Sequence, residues 1–254
     1  MAIEITEDAV LGGRLTLRQP RRGHRVGHDA ILLAAATEVR TGEHVVELGA
    51  GVGAAGLAVA QRVAGVRVTL VEIAPALAAL ARDNAARNGV ADRVQVAVLD
   101  VAASDRDFAE GGIEAGTATR VLMNPPFNNA ASKNLSPNPK RRLAHAASAD
   151  TLTHWIDRAA SLLAPSGTLT LIWRADGLAD VLAMASRGFG RISVLPVYPR
   201  PNAAAIRILL RATKASRAPL VVMPGLTLND TDGRPSMEAE TILRDGRTLR
   251  WEQD

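Results

Sequence analysis

The stretch Asn124-Pro125-Pro126-Phe127 combines groups that could hold a planar amine. The side-chain oxygen of Asn124 and a neighbouring backbone carbonyl could each accept one N–H, which would make the nitrogen lone pair more available for attack. The two prolines fix the backbone and carry no competing N–H, and Phe127 could stack on a flat ring. The stretch therefore predicts chemistry on an amine nitrogen, although taken alone it also suits a proline turn with a buried phenylalanine.

A second group of residues suits a nucleoside ligand with a cationic end. Residues 47–53, ELGAGVG, place an acid before a turn in which Gly49, Gly51 and Gly53 would let the backbone approach a ligand. Glu47 would repel a pyrophosphate and attract an ammonium. Glu72 could accept both hydroxyls of a ribose, and Asp100 could accept an N–H of adenine. Together these features describe S-adenosylmethionine, while strand-end acids of a nicotinamide enzyme or an inert Rossmann-like domain remain the alternatives.

Short β-branched runs that alternate with Ala-rich helical segments place both groups at one edge of a sheet. The last two strands are joined only by Pro-Arg-Pro-Asn, too short for a helical crossover, and should pair antiparallel. The sequence predicts an α/β fold: a Rossmann-like seven-stranded sheet, mostly parallel with the last strand antiparallel, and helices on both faces. The predicted strands are 44–48, 66–72, 93–100, 119–124, 167–173, 192–198 and 204–212, and the predicted helices are 28–39, 54–63, 75–88, 150–163 and 177–186.

Length and composition favour one domain of 254 residues, 47% of them hydrophobic. We expect an N-terminal flap over 1–27, a catalytic core over 28–212 and an extension over 213–254 that carries a small strand and a helix. The chain has no cysteine, which excludes disulfides, thiolate metal sites and cysteine nucleophiles. With no apolar stretch of about 20 residues and no signal-like N-terminus, a cytoplasmic location and no membrane contact are expected.

Basic residues are clustered although the net charge is only +4. Such clusters could meet a phosphate backbone, or they could be solvated loop charges. Aromatic residues make up only 3% of the chain, so binding of a nucleic acid would depend mainly on charge. We expect Trp155, Trp173 and Tyr198 to pack in the core. The candidate RNA-binding residues are Arg21, Arg22, Lys140, Arg141, Arg142 and His145.

The acids, the glycine turn and the Asn-Pro-Pro-Phe stretch resemble class I S-adenosylmethionine-dependent methyltransferases over nearly all of residues 28–212. Within that class the chain is similar to small-domain N-methyltransferases, and most to those that modify adenine N6 in tRNA. The resemblance implies that Asp29 lies near the methionine end of the cofactor and that Ile73 and Val101 join the acids in the cofactor site. Segments 27–33, 140–145, 201–207 and 237–239 carry the looser matches.

Two departures from that group concern Phe127, where tyrosine is frequent, and a long Asn-rich loop over 128–147. Transfer to protein glutamine stays open, although such enzymes usually have an N-terminal helical domain and only about 25 residues precede the first helix here. Guanine N2 of ribosomal RNA stays open as well. Small-molecule O-methylation needs a base or a metal, and no His/Asp cluster follows strand four, so no metal is expected. A non-catalytic RNA-binding scaffold is the alternative from another class, and the number of copies is not predicted.

Overall fold

The computed structural model describes residues 4–22, 25–126 and 139–251, with the backbone alone described over 139–149. Phe127 and most of the 128–147 loop lie outside the described residues. The strands are β1 (Ile5–Val10), β2 (Leu15–Pro20), β3 (His44–Leu48), β4 (Arg67–Glu72), β5 (Val94–Val98), β6 (Ala118–Met123), β7 (Leu163–Arg174), β8 (Phe189–Tyr198), β9 (Arg207–Lys214), β10 (Val221–Val222) and β11 (Leu226–Thr227). The helices are α1 (His28–Ala36), α2 (Ala54–Arg62), α3 (Pro75–Arg87), α4 (Asp105–Glu110), α5 (Pro139–Leu162), α6 (Leu178–Ala185) and α7 (Met237–Leu243).

The main sheet has the order β5-β4-β3-β6-β7-β9-β8 across its seven principal strands. Strands β3 to β7 pair in parallel, whereas β9 pairs antiparallel with both β7 and β8, as the short link between β8 and β9 predicts. Because β9 is reversed, its first residue lies at the edge where the parallel strands end. The chain order reverses between β3 and β6, and open α/β sheets bind ligands at such a point.

Helices cover both faces of the sheet, as predicted. Residues of α1, α2, α3 and α7 join one buried apolar cluster, and residues of α4, α5 and α6 join the other. Side chains alternate between faces along a strand, so Leu122 of β6 enters the first cluster and Met123 the second. Trp173 is 4% exposed, which confirms its predicted place in the core. Trp155 and Tyr198 are both partly buried, and Trp155 packs against the second cluster, as its predicted packing role requires.

The flap is an antiparallel hairpin of β1 and β2, in agreement with the extended or hairpin-like form predicted for it. Leu15 and Leu17 are fully buried in the first cluster. The buried side chain of Asn84 in α3 accepts the Arg18 N–H at 2.7 Å and donates to the Arg18 carbonyl at 3.0 Å. The hairpin is therefore fixed to the core by both apolar packing and hydrogen bonds.

Over the described residues the sheet has nine strands, because two short strands at its edge join the seven predicted ones. Strand β10 lies where the sequence predicts a small strand of the extension, whereas β11 is not predicted; both pair in parallel with β8, and each has only two residues. Two predicted bounds differ from the structure by more than three residues. Helix α5 begins at Pro139 rather than Asp150, and β7 begins at Leu163, so that Pro165 lies within the strand. In the described part of the chain no helix is long and apolar enough to cross a membrane.

Candidate active site

A cavity of about 390 Å³ opens at the carboxyl edge of the sheet. Its size is in the range of small-molecule sites, and it lies at the point where the chain order reverses. The residues that line it come from the start of α1, the turn after β3, the end of β6 and the start of β9. They include Asp29, Glu47, Gly49, Gly51, Asn124 and Arg207.

Glu47 is the buried acid of this cavity, with 5% of its surface exposed. Its carboxylate accepts the Gly56 N–H at 2.6 Å, and burial is the main cause that raises its pKa from 4.5 to about 8. A side chain at position 56 would place its Cβ 2.7 Å from the Glu47 oxygen, so it would displace this carboxyl group. A buried carboxyl group of this kind favours a cationic ligand, because a positive charge would lower its pKa again.

The three glycines after β3 serve different purposes. A Cβ at Gly49 would lie 2.3 Å from the ring of Trp155, and a Cβ at Gly53 would lie 2.9 Å from Leu70, so both positions are restricted by packing within the protein. A Cβ at Gly51 would meet nothing within 4 Å. Of the three, only Gly51 has open space beside its backbone, and a ligand could approach the backbone there. Trp155 thus supports the turn, and no sequence pattern indicates that contact.

Asn124 directly follows β6 and lines the cavity. Its side-chain oxygen is buried and has no hydrogen-bond partner among the described residues. Since an unpaired buried amide oxygen costs on the order of 1–3 kcal/mol, this atom is placed to accept a hydrogen bond from a ligand. Pro125 is buried and Pro126 is exposed. The predicted partner Phe127 lies outside the described residues.

The other predicted cofactor residues do not line the cavity. Each oxygen of Glu72 accepts one backbone N–H, from Gly51 at 2.7 Å and from Ala74 at 2.8 Å, so this acid fixes the glycine turn to the start of α3. Asp100 is exposed and accepts the Ala102 N–H at 2.9 Å. The described residues predicted for the site that do not line the cavity are Gly53, Glu72, Ile73, Asp100, Val101, Pro125 and Pro126.

No sequence pattern indicates the pairing of two charged residues that line the cavity, Asp29 and Arg207. The Arg207 Nε donates to the Asp29 carboxylate at 2.9 Å, and both side chains line the cavity. The sequence predicts Asp29 in the site, whereas it places Arg207 only in segment 201–207, which resembles the methyltransferase group without a predicted role for this residue. The signal available was the reversal of β9, which brings its first residue to the carboxyl edge.

The candidate RNA-binding residues do not form one described patch. Arg21 is exposed and paired with Glu4, and Arg22 is exposed. The basic stretch predicted after the Asn-Pro-Pro-Phe motif falls on the first turns of α5, where the structure describes the backbone only. That stretch comprises Lys140, Arg141, Arg142 and His145.

The strand order with a reversed β9, the glycine turn after β3 and the acid at the end of β4 define a class, the Rossmann-like methyltransferases. The family model for the methyltransferase small domain matches residues 24–195. The chain therefore belongs to the methyltransferase small domain family and is a methyltransferase.

Proteins with similar sequences have names that agree with this family. The chain is 34% identical over 166 residues to the tRNA1(Val) (adenine(37)-N6)-methyltransferase of Porphyromonas gingivalis, an alignment that covers 64% of this chain and 63% of that one. It is 29% identical over 236 residues to the protein of the same name from Dickeya chrysanthemi, with 87% of each chain covered. The crystal structure of a predicted O-methyltransferase from Agrobacterium tumefaciens superposes with a TM-score of 0.73 at 28% identity, and the match covers 87% of this chain and 98% of that one.

Proposed function

We propose that the protein uses S-adenosylmethionine to methylate the exocyclic N6 amine of an adenine in tRNA. The observation that carries the proposal is the buried oxygen of Asn124, which has no hydrogen-bond partner among the described residues; Asn124 lines the same cavity as Glu47 and Gly51. An amide oxygen in that position suits an N–H donor that arrives next to a bound cofactor.

The described residues fit the proposed cofactor on three counts. Gly51 leaves open space above the turn, so a ligand could lie against the backbone. Glu47 is a buried acid whose ionised form a nearby positive charge would stabilise, which suits a cationic ligand group. Glu72 is placed beside the turn, and its oxygens retain acceptor capacity for ribose hydroxyls. When bound, S-adenosylmethionine supplies an electrophilic methyl group on a sulfonium.

The residues of the chain would then act on the amine. The Asn124 oxygen accepts one N–H, and a carbonyl of the proline pair can accept the second, which holds the nitrogen in one orientation and keeps its lone pair available. The prolines add no competing N–H donors. Because the methylated nitrogen can lose its extra proton to water, no general base is required.

The names of the relatives support adenine in tRNA as the substrate, and the basic residues support a phosphate backbone as the partner. A base must be unstacked before its exocyclic amine can react, which costs little in a single-stranded loop. Lys140, Arg141, Arg142 and His145 follow the Asn-Pro-Pro-Phe stretch in the sequence, and a basic segment beside the amine-binding motif suits a substrate with a phosphate backbone.

The test is methyl transfer to unmodified tRNA. Protein, labelled S-adenosylmethionine and a mixture of transcribed tRNAs are incubated, the RNA is digested and its nucleosides are separated. We expect the label in N6-methyladenosine, and no label with the Asn124→Ala variant. Parallel reactions contain ribosomal RNA, protein extract and small hydroxyl compounds, the last because the similar crystal structure is that of a predicted O-methyltransferase. Label in N2-methylguanosine, in protein or in a methyl ether, with none in adenosine, would overturn the proposed substrate.

A further inference from the structure

The cavity carries a guanidinium as well as acids. Arg207 begins β9 and donates through Nε to Asp29 at the start of α1, and through Nη1 to the Ile206 carbonyl at 3.0 Å. The side chains of Arg207 and Asp29 are 29% and 26% exposed. The pair is therefore partly withdrawn from water, where charge-assisted hydrogen bonds are stronger than on an open surface.

Strand alternation places Arg207 on the same face of the sheet as the acid and the amide of the site. Leu209, Leu122 and Val45 all enter the first apolar cluster. Residues two positions along from them share that face, so Arg207, Asn124 and Glu47 project on the same side of the sheet, although β7 lies between the strands of Asn124 and Arg207. One cavity thus offers an acid on β3 and a guanidinium on β9.

We infer that Arg207, oriented by Asp29, binds the α-carboxylate of the amino-acid end of the cofactor. An amino-acid end carries a carboxylate, and Arg207 places a guanidinium among the residues that line the cavity. A guanidinium has five N–H donors in one plane, so it can serve a protein carboxylate and a ligand oxygen together. Asp29 is then a positioning residue, which acts through Arg207. This inference rests on the proposed cofactor.

The register supplies a matched control. Arg174 at the end of β7 lies directly opposite Arg207 across the strand pair and has its own carboxylate, Asp176. It is not among the described residues that line the cavity. Replacement of Arg174 by glutamine removes the same charge from the same sheet edge, one strand away.

The experiment measures the affinity of S-adenosylhomocysteine and of its decarboxylated analogue, S-adenosyl-3-thiopropylamine, by calorimetry. We expect the unmodified protein to bind S-adenosylhomocysteine more tightly than the analogue. Arg207→Gln should lower the affinity for S-adenosylhomocysteine by about 10- to 100-fold, while the affinity for the analogue stays within about twofold of the unmodified protein. Arg207→Lys, which keeps the charge, should recover part of the loss. Arg174→Gln should bind both ligands as the unmodified protein does.

If Arg207→Gln lowers the affinity for both ligands equally, the inference is overturned and Arg207 has a structural role. Unchanged S-adenosylhomocysteine affinity with weakened tRNA binding would also overturn it and assign Arg207 to a phosphate of the substrate. If the unmodified protein binds neither ligand, the proposed function fails instead, so the two failures are distinguishable.

Discussion

At the scale of single residues, the site combines an unpaired amide oxygen with a buried acid. Asn124 keeps its oxygen buried without a partner among the described residues, and Glu47 is almost fully buried beside the glycine turn. Both arrangements cost stability in the protein alone, and both are relieved when a donor or a cation binds. Such groups are typical of functional sites rather than of structural cores.

The role of Asn124 predicts a loss of turnover without a loss of cofactor affinity. Asn124→Ala removes the acceptor and should lower kcat by at least about 100-fold, the size of effect seen when one hydrogen-bonding group at a reacting centre is removed. Asn124→Asp keeps an oxygen acceptor and should retain more activity than the alanine variant. Steady-state kinetics and calorimetry with S-adenosylhomocysteine check both. Unchanged kcat in Asn124→Ala would refute the role of the amide.

The raised pKa of Glu47 predicts a pH dependence of stability. In the unfolded chain this carboxyl group loses its proton near 4.5, whereas in the folded protein it keeps the proton up to about 8 because of burial. Between these values the folded state binds the extra proton, so the free energy of unfolding should fall by a few kcal/mol as the pH rises from about 5 to 8. Glu47→Gln resembles the protonated form and should lack this part of the slope. Urea unfolding of both proteins at several pH values measures the difference, and identical slopes would contradict the prediction.

At the scale of elements, the hairpin and the glycine turn share one anchor on α3. The buried side chain of Asn84 bonds to both backbone groups of Arg18 in β2, and its amide also donates to the Val52 carbonyl in the turn at 3.0 Å. One residue therefore couples the N-terminal hairpin to the turn that borders the cavity.

Asn84→Ala should destabilise the protein by about 3 kcal/mol, because it leaves buried backbone groups without partners. Amide hydrogen exchange should quicken in β2 and in the glycine turn more than in the central strands. The control is Arg106→Ala, which removes an exposed pair with Glu110 on α4 and should change stability by less than about 0.5 kcal/mol. Exchange that quickens evenly over the whole sheet would show that Asn84 does not anchor these two segments.

At the scale of the whole molecule, the C-terminal extension completes the first helix. The last carbonyls of α1 accept hydrogen bonds from other parts of the chain: Ala34 from Arg62 of α2, Ala35 from the Leu249 N–H and Ala36 from the Trp251 ring N–H. Helix ends need such partners because their last carbonyls have none within the helix. Since the start of α1 carries Asp29, the extension stabilises a helix that borders the cavity.

Trp251→Ala should therefore destabilise the protein by about 3–5 kcal/mol, as expected for removal of a large side chain that is 3% exposed. Trp251→Phe keeps much of the packing but loses the hydrogen bond to Ala36 and part of the ring volume, so its cost should be smaller, about 1–2 kcal/mol. Chemical denaturation measures both. A loss below about 1 kcal/mol in the alanine variant would mean that the extension contributes little to the core.

Local patterns predicted most of the fold. Alternating strands and helices, and a link too short for a helical crossover, predict the mostly parallel sheet and the reversed β9, because period and link length are properties of neighbouring residues. The two-residue strand β11 could not be predicted in this way, since it exists only through pairing with β8, whereas β10 falls where the sequence predicts a small strand.

For the site, the sequence by itself determined which groups occur after the strands: the acid and glycines after β3 and the amide after β6. Tertiary structure decided which of them share a cavity. It joined Asp29 to Arg207, 178 positions apart, set Trp155 against Gly49 and left the Asn124 oxygen without a described partner. The physical reason is that contacts between distant segments depend on how strands pair and helices pack, and neither leaves a period or a motif in the sequence.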